Sequence, residues 1–172
     1  NTSLKYLYCY SNQLTNLNFG NISNLHYLDC QNNQLTSLDL GNFTFSLSNL
    51  ICRNNQLSSL NLSINTQLRE LDCKYNQLTF LDLRNGNNTY LTNFDASGNS
   101  NLNCISVDDA AWSTTNWTYV DSHTSFSDDC NAVPKTYVPD DNFEAYLETH
   151  DASGNVVSLG DANSMGDGIA NN

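Results

Sequence analysis

Residues 25–40 read LHYLDCQNNQLTSLDL. The same grammar, L-x-x-L-x-C-x-x-N-Q-L-x-x-L-x-[LF], returns three more times. It is LKYLYCYSNQLTNLNF at 4–19, LSNLICRNNQLSSLNL at 47–62 and LRELDCKYNQLTFLDL at 68–83. A degenerate fifth copy, LTNFDASGNSNLNC, opens at Leu91. Start-to-start steps are 21, 22, 21 and 23 residues. Self-similarity at such a period marks a repeat architecture, in which each unit buries its apolar side against the next.

Within L-x-x-L-x-C the last three positions alternate apolar, polar, apolar, which is the period of a strand. The strand Leu or Phe and the Cys therefore face inward, and the residue between them faces out. Three residues after the Cys (Ala96 in the fifth copy) stands an Asn: Asn12, Asn33, Asn55, Asn76 and Asn99. A coiling chain must turn there, leaving backbone groups without ladder partners, and an inward amide both donates and accepts. A second half-repeat, L-x-x-L-x-[LF], follows ten residues later: Leu14/Leu17/Phe19, Leu35/Leu38/Leu40, Leu57/Leu60/Leu62 and Leu78/Leu81/Leu83. No helical apolar spacing lies between the halves. The expected coil is narrow, nearly all extended chain, with a short strand or extended segment on each of two sides.

These residues resemble the leucine-rich repeat proteins, in the bacterial class of nested period called IRREKO, over residues 4–104. The second-half Asp-Leu of that class stands at Asp39-Leu40 and Asp82-Leu83, while Asn18 and Asn61 replace the Asp in the other two copies. The resemblance extends to secreted cell-surface proteins of Bacteroidota. It implies a β-rich solenoid with short parallel strands on a concave face, and recognition rather than catalysis. It also implies the outer surface of a Gram-negative cell and type IX secretion.

The six cysteines alone leave disulfides, metal or neither open. Cys9, Cys30, Cys52 and Cys73 share one repeat position, where a free thiol behaves as a small buried hydrophobe. Cys104 and Cys130 flank a segment without the repeat grammar, CISVDDAAWSTTNWTYVDSHTSFSDDC. There Ser106-x-x-Asp109 reads as a capping box ahead of a short helix carrying Trp112. An array needs a cover over its last coil. A Cys104–Cys130 bridge is expected to close that cover, and it places the chain in an oxidising compartment. The resemblance agrees, since a similar Cys-bounded segment ends many such arrays. The reading gives an array at 1–103, a cap at 104–131, and a linker and helix at 132–172. Within the last part, VPDDNFEAYLETHD reads as a helix followed by an acidic loop. That helix resembles the N-terminal cap of a following array. The first copy shows no such cap, so the chain reads as a piece of a longer multi-array protein.

Net charge is −12, but residues 1–100 hold five Lys/Arg against six Asp/Glu, and 101–172 hold one against twelve. Acidity repels phosphate backbones, and the array itself lacks a basic stripe, so no nucleic-acid partner is expected. No apolar run approaches transmembrane length, so no membrane insertion is expected; no signal peptide is visible either, which excludes little. Polarity comes largely from Asn, at 29 positions. None of the three histidines has a second ligand at metal spacing, and no catalytic motif appears, so neither an enzyme nor a cofactor is expected. Asp161, Asn163 and Asp167 have the flavour of a calcium loop, but with two extra residues and no bidentate acid after Ile169.

Function is expected on the outward positions of the strands, which the core does not dictate. At one end these are Tyr6, Tyr8, Tyr10, His26, Tyr27 and Asp29; in the middle stand Arg53, Glu70, Asp72 and Lys74. Exposed tyrosines offer flat area with a polar tip and suit binding sites; they also suit cross-strand stacking. Arg53 and Lys74 are expected to choose a partner's acidic groups. The expected function is a non-catalytic extracellular binding module for a protein or a glycan. The alternative is a structural spacer or surface-layer segment, whose partners are other segments of the same long chain.

Overall fold

The computed structural model describes residues 3–43 and 45–130. The expected linker, terminal helix and calcium-loop residues Asp161, Asn163 and Asp167 lie outside them. Leucine and asparagine positions of the repeat build two parallel sheets, one on each side of a flattened coil. The first sheet runs β1 (Tyr6–Tyr8), β2 (Tyr27–Asp29), β3 (Asn49–Ile51), β5 (Glu70–Asp72), β7 (Asn93–Asp95). Its register is uninterrupted: Leu7, Leu28, Leu50, Leu71 and Phe94 lie side by side and point inward. The second sheet runs β4 (Ser59–Asn61), β6 (Phe80–Asp82), β8 (Cys104–Ser106), β9 (Ser125–Ser127). This is a β-rich repeat solenoid closed by a disulfide-bonded cap.

Both halves of the repeat feed one core. Leu28, Leu50, Leu57, Leu62, Leu78 and Leu83 are each wholly buried, and each such side chain contributes roughly 1.5–3 kcal/mol. The stacked thiols pack there as well: Cys30, Cys52 and Cys73 are buried and Cys9 half-buried, all four unbridged. Burial pushes the Cys30 thiol up to about 12 and raises Cys52 and Cys73 further from thiolate reactivity.

The asparagine ladder takes the expected position. Asn55 Nδ2 donates to Cys52 O and to Cys30 O one coil back, both at 3.0 Å, while its Oδ1 accepts from Leu35 N at 3.0 Å. Asn33, Asn76 and Asn99 repeat that pattern in their own coils. Asn12 is exposed and bonds only Cys9 O and Tyr10 O in its own turn. The residue before each ladder Asn is left-handed: Ser11, Asn32, Asn54 and Tyr75 at φ 53–55°, and Gly98 at φ 71°. A Cβ on Gly98 would overlap the Tyr75 ring. Gly98→Ala is therefore expected to lose about 1–2 kcal/mol from its positive φ alone. The steric part should be recovered in a Tyr75→Asn background, a double-mutant comparison by urea unfolding.

Half-repeats 14–19 and 35–40, expected as a short strand or an extended segment, form no strand, so the second sheet begins only at the third coil. Two expectations change. The strands of the second sheet continue past Cys104: Ser106 lies beside Asp82, and Phe126 beside Ile105, so the repeat geometry outlasts the repeat grammar. The helix α1 (Ala110–Asn116) is capped by Asp109, whose carboxylate accepts from Trp112 N at 2.9 Å. The capping box expected at Ser106 is absent because Ser106 ends β8 and is buried.

The cap covers the last coil with aromatic rings. Trp117 lies 4.6 Å from Phe94 and donates through Nε1 to Leu91 O. Trp112 meets it edge-on at 5.6 Å, and Phe126 lies at 5.8 Å. Cys104 and Cys130 are bonded, with Cα atoms 5.7 Å apart.

Candidate functional site

Three outward rows cross the first sheet. The row before the strand leucine is Tyr6, Tyr27, Asn49, Glu70, Asn93, and the row after it is Tyr8, Asp29, Ile51, Asp72, Asp95. The third, one step past the Cys position, is Tyr10, Gln31, Arg53, Lys74, Ser97. Parallel in-register pairing makes each member touch its counterpart in the next coil, so a patch of one chemistry grows wherever neighbouring repeats agree.

From the third coil onward the face is bound to itself. Asn49 Nδ2 donates to Glu70 Oε2 at 2.6 Å, and Asn93 Nδ2 donates to Glu70 Oε1 at 3.4 Å. Arg53 Nε donates to Gln31 Oε1 at 2.6 Å, and its Nη1 lies 3.4 Å from Asp72. Lys74 Nζ stands 2.9 Å from Asp95 and 3.7 Å from Asp72. Burial raises the Asp72 carboxyl despite both cations. Burial acts the same way on Asp95, but the Ser97 hydroxyl and the Lys74 ammonium outweigh it and hold that carboxyl below its ordinary range. Arg53 and Lys74 are thus engaged by neighbours on their own face and are not unpaired cations. Asp29, expected to face outward, is buried at 6% exposure and accepts from Gln31 Nε2 at 2.9 Å. Gln31 holds the carboxylate down through both its backbone N–H and its Nε2.

The first coil is different. Tyr6 and Tyr8 are each 59% exposed and Tyr10 is 50% exposed. Tyr8 and Tyr27 rings approach to 5.2 Å at a 35° tilt. His26 is half-buried, and its Nδ1 donates to Asn24 O at 2.8 Å, which leaves Nε2 as the second ring nitrogen. The sequence-expected cluster therefore forms on one edge of the sheet, as an uncharged aromatic strip.

Two features carried no repeat signal. Tyr119, 67% exposed, stands at the rim of a hollow of about 300 Å³ with Glu70, Asp72, Lys74 and Asp95. Asp121 accepts from Gly98 N at 2.9 Å and Asn99 N at 2.8 Å, replacing the backbone of a further coil. Asp121 was legible only as an acid following Val120, which the repeat pattern does not flag. On the opposite sheet Asp82 and Arg84 form a bidentate pair, 3.0 Å and 2.7 Å, and the guanidinium holds the Asp82 carboxyl low. Among the described residues no group of His, Cys, Asp and Glu is arranged to hold a metal ion.

The family model for leucine-rich repeats in two copies matches residues 2–42. Leucine-rich repeats are thus detected over the first two coils. The coils at 47–62 and 68–83 keep the same Leu, Cys and Asn positions, and the shared register carries them on. Comparison with curated proteins and with solved structures gives no match. Leucine-rich repeats commonly serve as protein-interaction modules and are typically non-catalytic. No described helix is long and apolar enough to cross a membrane.

Proposed function

We propose that the protein is a non-catalytic, extracellular or cell-surface recognition module that binds a macromolecule, protein or glycan, with the outer face of its first sheet. One observation carries the reading. The core needs Leu7, Leu28 and Cys30, yet the outward positions beside them hold exposed Tyr6, Tyr8 and Tyr10, which no packing requirement of the solenoid explains. Tyr27 and His26 extend the strip. The Cys104–Cys130 bridge supports an oxidising compartment, and the resemblance to secreted Bacteroidota proteins supports the cell exterior. A structural spacer is the second reading, favoured by the self-pairing of Glu70, Asp72, Lys74 and Asp95.

The test is retention of the folded chain on an array of secreted proteins and glycans. Tyr8→Ser together with Tyr27→Ser is expected to reduce retention at least about tenfold, the scale of a lost aromatic anchor. Undiminished retention by the folded double variant would move recognition off this face. Retention of the wild type on no spot would favour the spacer.

A further inference from the structure

The charge layout of the first sheet narrows the partner's chemistry; this inference rests on the recognition reading above. Every charged side chain in the three outward rows has a partner on the same face: Asp29 with Gln31, Glu70 with Asn49, Asp72 and Asp95 with Lys74, and Arg53 with Asp72. A partner that engaged these groups by charge would first have to break contacts the fold already makes. Tyr6, Tyr8, Tyr10 and Tyr27 carry no charge; Lys5 is the nearest charged residue in sequence, and Asp29, beside Tyr8 in register, is buried and bonded to Gln31. Among the described residues none hydrogen-bonds the hydroxyls of Tyr6, Tyr8, Tyr10 or Tyr27.

The strip therefore combines flat apolar rings with unengaged hydroxyls that both donate and accept. Tyr6 and Tyr8 alternate along one extended strand, about 7 Å apart, and Tyr10 continues the line. Tyr27 widens it across the sheet, its ring 5.2 Å from that of Tyr8. An apolar protein surface laid on it would bury those hydroxyls unpaired, which is unfavourable for each group left so. A sugar has the matching character. One face of a pyranose presents C–H groups to a ring, and its rim presents hydroxyls to the phenols. We propose that the Tyr6/Tyr8/Tyr10/Tyr27 strip binds a neutral oligosaccharide by stacking and hydroxyl exchange.

The experiment uses the whole chain and a glycan array. Its neutral arm holds hexasaccharides of β-linked glucose, β-linked N-acetylglucosamine, α-linked glucose and α-linked mannose. Its acidic arm holds sulfated and uronic-acid glycans, and a third arm holds secreted proteins. Retention is expected on the neutral arm, changing less than about twofold between low and high salt, because no ion pair forms. Tyr8→Ala and Tyr10→Ala should each weaken it about tenfold, while Ser59→Ala on the opposite sheet leaves it unchanged. Retention confined to the protein arm and lost in the tyrosine variants would overturn the sugar while keeping the recognition face. Retention confined to the acidic arm, or falling steeply with salt, would overturn the neutral ligand. Retention on no neutral glycan overturns the proposal.

Discussion

Asn76→Ala is expected to destabilise the protein by about 3 kcal/mol or more, a large effect for one polar side chain. Its amide donates to Cys52 O at 3.1 Å and Cys73 O at 3.0 Å, and accepts from Leu57 N at 3.0 Å. Alanine removes all three partners at a buried corner that water does not reach. Each orphaned group costs roughly 1–3 kcal/mol, less whatever relaxation recovers. Asn12→Ala is the internal control. Asn12 is exposed and reaches only Cys9 O and Tyr10 O, so its loss should stay within about 0.5 kcal/mol, as for most surface substitutions. Urea unfolding of both variants measures the difference. Equal losses at the two positions would mean that the ladder does not hold the coils together.

Removing the bridge should be nearly as costly. Cys130→Ala opens a loop whose ends are 26 residues apart, and the chain-entropy estimate for that closure is about 3.5 kcal/mol. The loop contains α1 and β9, which bring Trp117 and Phe126 over the last coil. Loosening it lets water reach Leu91 and Phe94. Reductant should lower the urea midpoint of the wild type to that of the variant and leave the variant unchanged. Amide exchange should accelerate more at Ile105 and Val107, within the bridged cap, than at Leu28 near the far end. A loss below about 1 kcal/mol would assign closure of the array to aromatic packing alone.

The solenoid was legible because its determinants recur. Leu28, Leu50 and Leu71 are called for by the same neighbours in each coil, so one reading serves all. The left-handed residue before each Asn was less visible, since Ser11, Asn32, Asn54, Tyr75 and Gly98 share a backbone angle but no side-chain chemistry. The cap was legible in outline, through Cys104 and Cys130. Its strands were not, because β8 takes its pairing from β6, and β9 from β8, across space rather than from a local pattern. The Ser106 reading failed for the same reason: a capping box is a local signal, and pairing with β6 claimed that residue first. On the face, the aromatic cluster follows from register alone. The engagement of Arg53 and Lys74 does not, because it depends on side-chain reach between coils. Asp29 shows the same limit, its carboxylate being buried and bonded by the Gln31 backbone and side chain.

The central claim is that the outward tyrosines are held for a partner and not for the sheet. Equilibrium urea unfolding of Tyr6→Ser/Tyr8→Ser/Tyr10→Ser tests it without needing the ligand. Cross-strand aromatic pairs contribute roughly 0.2–1 kcal/mol each, and the one close pair these residues make is Tyr8 with Tyr27. The predicted result is an unfolding free energy within about 1 kcal/mol of the wild type. A loss of about 3 kcal/mol or more, the size of a deleted core side chain, would make the strip part of the fold and contradict the claim.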